Sequence, residues 1–140
     1  MKYTPSTESI PQSSRRAVNE KLLYLIDNNC CEAYGITKQD IFQGYTGDGG
    51  LHGLSRKNYR SYHTYSEAKK ELENGQFFTP PALCQFVADC LCLEEDDLVA
   101  DLTCGMGNFF NVMPVEANVY GCELDTKAFK VASYLYPEAN

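Results

Sequence analysis

The chain has 140 residues, 44% of them hydrophobic, which makes one globular domain at most and leaves enough chain for a real core. It holds no apolar run of membrane-span length and no recognisable leader, and its seven cysteines form no Cys-x-x-Cys pair. Membrane proteins, disulfide frameworks and zinc ribbons are therefore set aside, and the expected location is the cytoplasm. The net charge of −7 is laid out unevenly: residues 1–75 carry ten Lys/Arg against nine Asp/Glu, residues 76–140 two against ten. The second half is a poor surface for phosphates, so contact with nucleic acid is expected from the first half or from chain outside this sequence.

Residues 1–14 are rich in Ser, Thr and Pro with Ile10 as the one sizeable aliphatic, and read as a flexible or loosely attached tail. Residues 15–74 read as a mainly helical region. From Arg15 to Asn28 the apolar positions Val18, Leu22, Leu25 and Ile26 fall at helical spacing. Thr37 to Asp40 resembles an N-terminal cap for a short second helix through Ile41 and Phe42, stopping before Gly44. Tyr45 to Leu54, with four glycines, is a flexible or tightly turned loop. Arg56, Lys57 and Arg60 then sit among Tyr59, Tyr62 and Tyr65. That mixture suits either a nucleic-acid backbone with stacked bases or a solvated loop whose tyrosines pack on the domain. Thr64 to Glu67 has the form of a capping box, predicting a helix from Glu67 to Asn74 with Gly75 as its stop.

Residues 75–140 change character. Thr79 is placed to cap a helix with Leu83, Phe86, Val87, Cys90 and Leu91 on one apolar face, Pro80 and Pro81 fitting its first turn. Glu94 to Asp97 is a solvated turn, and Leu98-Val99-Ala100 is a strand entering Asp101. Asp101-Leu102-Thr103-Cys104-Gly105-Met106-Gly107-Asn108-Phe109 follows as a glycine turn, with a helix starting over Asn108 to Met113 whose first free N–H groups would face a ligand. A second strand, Asn118 to Cys122, ends at Glu123-Leu124-Asp125. The last helix, capped by Asp125 or Thr126, buries Ala128, Phe129, Val131, Ala132 and Leu135 and ends at Pro137. Strand, helix, strand, helix begins a parallel α/β sheet, whose ligands bind at the C-terminal strand ends where Asp101 and Glu123 fall.

Gly105 and Gly107 alone fit any tight strand-to-helix turn. A dinucleotide fingerprint needs a third glycine where Phe110 stands, and a P-loop needs Lys-Ser/Thr after the glycines. Two acids at strand ends suit a ligand carrying positive charge and free hydroxyls. A metal site from Cys30, Cys31, His52 and His63 matches no zinc spacing, and Cys84, Cys90 and Cys92 read as small core residues.

Phe78-Thr79-Pro80, then Asp-x-x-x-Gly-x-Gly-x-Phe, then Glu-x-Asp 22 residues after the first Asp, together resemble the cofactor half of an S-adenosylmethionine-dependent methyltransferase. More narrowly they resemble the adenine-N6 DNA methyltransferases of the type I and Eco57I-like restriction-modification groups, with Leu102 where that family usually has proline. The resemblance implies an α/β, partial Rossmann-like methyltransferase fold behind the helical N-terminal region. It implies cofactor binding by Phe78, Thr79, Asp101, Thr103, Cys104, Gly105, Gly107, Phe109, Glu123 and Leu124. Asp101 and the backbone around the glycines would hold the methionine amino group and the sulfonium side, and Glu123 the ribose hydroxyls. Leu124 would pack on adenine with Asp125 near its amino edge or serving as a helix cap. Phe78 and Phe109 would wall the pocket or lie in the core, and Thr79 would meet the methionine carboxylate. The order Tyr-x-Gly-x-Gly-Gly-Leu, Tyr-Ser-Glu-Ala, Gly-Gln-Phe-Phe-Thr-Pro-Pro and Gly-Met-Gly-Asn-Phe-Phe is similar to the front of plasmid, phage and conjugative-element proteins that join an adenine methylase to a helicase. DNA as partner, and a helicase region in the same polypeptide, follow from that likeness.

That family accepts the adenine amino protons on an Asn/Asp-Pro-Pro-Tyr/Phe segment, and the only Pro-Pro here, Pro80-Pro81, belongs to the cofactor side. The expectation is the N-terminal part of a longer enzyme, or a shortened copy, that holds cofactor weakly and does not transfer methyl groups unaided. Two other functions compete: a methyltransferase-like binding module without catalysis, and a nucleotide-linked oxidoreductase, which Phe110 and Phe78-Thr79-Pro80 disfavour. RNA and protein methyltransferases share the same plan.

Overall fold

The computed structural model describes residues 2–47, 56–72 and 77–140. Helix α1 (Gln12–Asp27) turns its buried face, Asn19, Leu22, Leu25 and Ile26, onto the core. After a 3-10 turn (Glu32–Tyr34), α2 (Lys38–Gly44) opens with the predicted cap. Thr37 Oγ1 accepts from the Asp40 N–H at 3.1 Å while Asp40 Oδ2 accepts from the Thr37 N–H at 2.8 Å, so two orphan donors of the first turn are satisfied together. The Thr37 hydroxyl, which donates to Asp40 Oδ2 at 2.6 Å, and then the Thr37 N–H hold the Asp40 carboxyl below its usual pKa.

A 3-10 turn (Arg56–Asn58) leads to α3 (Tyr62–Leu72), and α4 spans Pro81–Leu91. The sheet has two short parallel strands, β1 (Val99–Asp101) and β2 (Val119–Gly121), paired in the register Val99–Val119, Ala100–Tyr120, Asp101–Gly121. Helix α5 (Thr126–Leu135) starts at Asp125, whose Oδ1 accepts from the Ala128 N–H at 2.7 Å. Beyond α5, Asn140 lies alongside β2: its N–H donates to Val119 O at 2.9 Å and its carbonyl accepts from the Gly121 N–H at 2.8 Å. Cys122 donates to Asp101 O, and backbone groups of successive strand residues point to opposite edges, so Asn140 sits on the edge of β2 away from β1.

The core is built where α1 and α2 pack on α5. Leu25, Ile41, Val131 and Leu135 are at most 2% exposed. Tyr3 joins it and corrects the reading of residues 1–14 at that point. It is buried, stacks on Phe42 at 5.4 Å, and exchanges hydrogen bonds with the side chain of Asn111 at 2.6 and 2.8 Å. A buried Asn amide needs partners, and the Tyr3 backbone supplies both.

Five further expectations change. The stretch after the glycines is a single 3-10 turn (Phe110–Val112) rather than a helix, because Phe110, Asn111 and Val112 all point inward. Helix α3 begins five residues earlier than the capping-box reading, with the Ser61 hydroxyl accepting from the Thr64 N–H at 3.2 Å; its predicted stop at Gly75 lies outside the described residues, as do residues 48–55 of the glycine-rich loop. Helix α4 buries Cys84 and Ala88, leaving Leu83, Phe86, Cys90 and Leu91 exposed, since its contact is with the Phe110–Val112 turn. Cys92, which ends that helix in a left-handed conformation, is exposed as well. Phe129 is also exposed, lying off the α5 stripe that meets α1 and α2. Among the described residues no helix is long and apolar enough to cross a membrane, and no group of three or more His, Cys, Asp or Glu is placed to hold a metal ion. His52 lies outside those residues.

Candidate functional site

Parallel pairing brings the ends of β1 and β2 side by side, and with them Asp101 and Glu123. The loop between Asp101 and the Phe110–Val112 turn is folded back onto both ends. The Thr103 N–H donates to Asp101 Oδ1 at 3.1 Å, the Cys104 N–H to Cys122 O at 2.9 Å, and the Gly105 N–H to Glu123 Oε2 at 2.8 Å. The Gly107 N–H closes a turn onto Cys104 O at 2.8 Å. Three successive amides are thus spent on the strand ends. The N–H groups expected to face a ligand were those of a first helical turn from Asn108 onward; that helix is a single 3-10 turn, and the amides the loop does commit, at Thr103, Cys104 and Gly105, face the strand ends.

Both glycines have positive φ, +57° at Gly105 and +86° at Gly107, which a side chain would resist. What approaches them is the protein itself. A Cβ on Gly105 would lie 2.8 Å from the Phe78 ring, and one on Gly107 2.7 Å from the ring of Tyr136. Phe78 therefore covers the loop from one side and packs at 5.8 Å on Tyr45, while Tyr136 supports it from the core.

Thr79 does not cap α4: Pro80 occupies that position with no side-chain cap, and the Thr79 carbonyl instead accepts from Asn108 Nδ2 at 2.8 Å. Asn108, which sequence reasoning passed over, ties the Phe78-Thr79-Pro80 segment to the glycine loop. It is 8% exposed, and its Oδ1 is buried with no hydrogen-bond partner among the described residues. The available signal was two asparagines, Asn108 and Asn111, in an otherwise apolar run, Met106 to Met113, where a buried amide has to serve as a tie.

The structure brings Phe78, Thr79, Asp101, Cys104, Gly105, Gly107 and Glu123 into one neighbourhood. Burial first, and then the Asp101 and Glu123 carboxylates, push the Cys104 thiol up to about 11. Cys84 is likewise pushed to about 11 by burial and then by Asp101. Phe109 is half-buried, whereas Thr103 is exposed, Leu102 is 75% exposed and Leu124 97% exposed beside the carboxylates. Asp101 keeps Oδ2 without a hydrogen bond among the described residues, and Glu123 holds two backbone donors on a group with room for about four. An open, doubly acidic strand end with spare acceptors fits a cationic, hydroxyl-bearing ligand such as S-adenosylmethionine. Two neighbouring carboxylates do not suit a pyrophosphate, which they would repel.

The basic and aromatic cluster lies earlier in the chain, over residues 56–65. Arg56 Nη1 donates to Tyr59 O at 2.7 Å, Tyr65 touches the rings of Tyr59 and Tyr62, and Tyr62 is 71% exposed. Lys57 and Arg60 are exposed.

A family model described as N-6 DNA Methylase matches residues 61–134, slightly more than half of the chain. No curated protein and no solved structure gives a match.

Proposed function

We propose that this chain, which belongs to the N-6 DNA methylase family, binds S-adenosylmethionine over the ends of β1 and β2 in the service of methylating the exocyclic amine of adenine in DNA. One observation supports the reading beyond the family: the Thr103, Cys104 and Gly105 amides are spent on the strand ends, where Asp101 and Glu123 stand side by side with acceptors to spare. Such a site attracts a sulfonium and an ammonium and repels phosphate.

In this reading S-adenosylmethionine supplies the activated methyl group. The Asp101 carboxylate offsets the positive charge of the methionine portion, and the spare acceptors of Glu123 take the ribose hydroxyls. Leu124, exposed beside Glu123, offers an apolar face to adenine, and Asp125 stays committed to the α5 cap. Phe78 acts by covering Gly105, and Thr79 by holding Asn108. Lys57, Arg60 and the exposed Tyr62 ring offer phosphates and bases a surface away from the acidic half, with Arg56 braced on Tyr59. Kinship with the type I and Eco57I-like restriction-modification enzymes rests on Phe78-Thr79-Pro80 and Asp101 to Gly107. Since no Asn/Asp-Pro-Pro-Tyr/Phe occurs in these 140 residues, they hold cofactor without transferring methyl groups by themselves.

Calorimetric titration tests this. Saturable heat with S-adenosylmethionine, none with NAD, and loss of the signal in Asp101→Ala are expected. A folded sample giving no heat with S-adenosylmethionine would move the reading to a methyltransferase-like module without cofactor.

A further inference from the structure

Glu123 is committed before any ligand arrives. Its Oε2 accepts from the Gly105 N–H and its Oε1 from the Asp125 N–H, both at 2.8 Å. The first bond spans 18 residues and joins the glycine loop to the end of β2; the second sets the residue that caps α5. Among the described residues the Gly105 N–H has no other acceptor, and the Phe78 ring covers the side where a Cβ would stand.

We infer that Glu123 is a positioning residue, a latch whose carboxylate holds the glycine loop closed on β2 while keeping acceptors free for a vicinal diol. The diol half of this inference rests on the cofactor reading above; the latch half stands on hydrogen bonds within the chain. The acceptor count makes the two halves compatible. A carboxylate offers about four acceptor positions, two are taken by backbone donors, and the remaining two equal what a vicinal diol needs. Loop closure and diol recognition are therefore linked through one group. A bound diol orients the carboxylate that holds Gly105, and a closed loop fixes the carboxylate that the diol must meet. A carboxamide breaks this arrangement, since its single oxygen offers about two acceptor positions and its NH2 group repels a backbone donor.

The test is amide hydrogen exchange, resolved by residue, on the whole chain without ligand. In Glu123→Ala the Gly105 and Asp125 amides are expected to exchange roughly tenfold faster or more, the size of effect that loss of a bond to a charged acceptor produces. The Cys30 and Ile41 amides, bonded to Leu25 O and Thr37 O in the helical core, keep their protection and report that the fold is intact. Should Glu123→Ala lose that remote protection, Glu123→Gln decides. The isosteric change is expected to release one of the two amides and spare the other. Unchanged protection at both Gly105 and Asp125 in a folded variant overturns the latch. A second readout separates the two readings. If wild-type chain with a protected Gly105 amide takes up no S-adenosylmethionine, the latch stands and the cofactor reading fails. If Glu123→Ala loses S-adenosylmethionine binding with Gly105 still protected, the cofactor reading stands and the latch fails.

Discussion

The helical core and the strand-end loop of this chain are held by different forces. Where α1 and α2 meet α5, order comes from apolar burial, with Leu25, Ile41, Val131 and Leu135 almost wholly out of solvent. At the ends of β1 and β2, order comes from a chain of hydrogen bonds and from two rings laid over two glycines, while Leu102 and Leu124 point outward. The contrast separates stability from recognition: the first region makes the fold, while the second anchors its loop through buried Cys104 and Met106 and leaves two half-buried carboxylates with acceptors to spare. It also shows that residues before the family match are structural partners of it, since α1 and α2 lie outside residues 61–134 and yet cover α5 within them.

Four perturbations would break or sharpen that contrast. Ile41→Ala, at a fully buried position, is expected to cost about 3 kcal/mol in urea unfolding, within the usual range for emptying a core site. A cost below about 1 kcal/mol would mean that α2 is not part of the core. Gly107→Ala drives a methyl into the buried Tyr136 ring at positive φ, and a loss of about 2–3 kcal/mol is expected although the change lies in a loop. Asn111→Ala breaks the reciprocal bonds to Tyr3 and strands two backbone groups, for a loss of about 2 kcal/mol in the same measurement.

The smallest effect is on pH dependence. Cys84 and Cys104 have pKa values raised on folding to about 11 from 9.0, so the fold favours the neutral thiols. The resulting stability is fully present below pH 9 and is lost as pH rises through about 11, where the unfolded chain releases those protons more readily. Unfolding followed from pH 8 to pH 10 should show the onset of this decline, and Cys84→Ala with Cys104→Ala should flatten it there; above pH 10 the Tyr3, Tyr134 and Tyr136 hydroxyls, also raised by burial, add a loss of the same sign. Iodoacetamide at pH 8 should meanwhile reach the exposed Cys90, Cys92 and Cys122 well before Cys84 or Cys104.

Much of the local structure was legible because the signals are local. Thr37 and Asp40 cap α2, Asp125 caps α5, and the Ala128, Val131, Ala132 and Leu135 stripe is buried. The side of a helix that finds a neighbour is not a local property. Leu83, Phe86 and Leu91 form an apolar stripe on α4, but the turn at Phe110–Val112 sits against the small residues Cys84 and Ala88. The same limit applies at the site. Positive φ at Gly105 and Gly107 could be read from the sequence, whereas the rings that fill the space above them come from Phe78 and Tyr136, each more than 25 residues away. Tyr3 was invisible for a related reason: one aromatic in a Ser, Thr and Pro-rich stretch has no periodicity, and its burial is decided by Asn111.

The most direct test of the account is an amide-resolved NMR titration of the chain with S-adenosylhomocysteine, the product-like form of the proposed cofactor. Saturable shifts concentrated at residues 101–109 and 122–125, with α1 and α2 unmoved, are the predicted result. A well-dispersed spectrum in which those residues do not respond, or in which the response centres on the helical core, would contradict it.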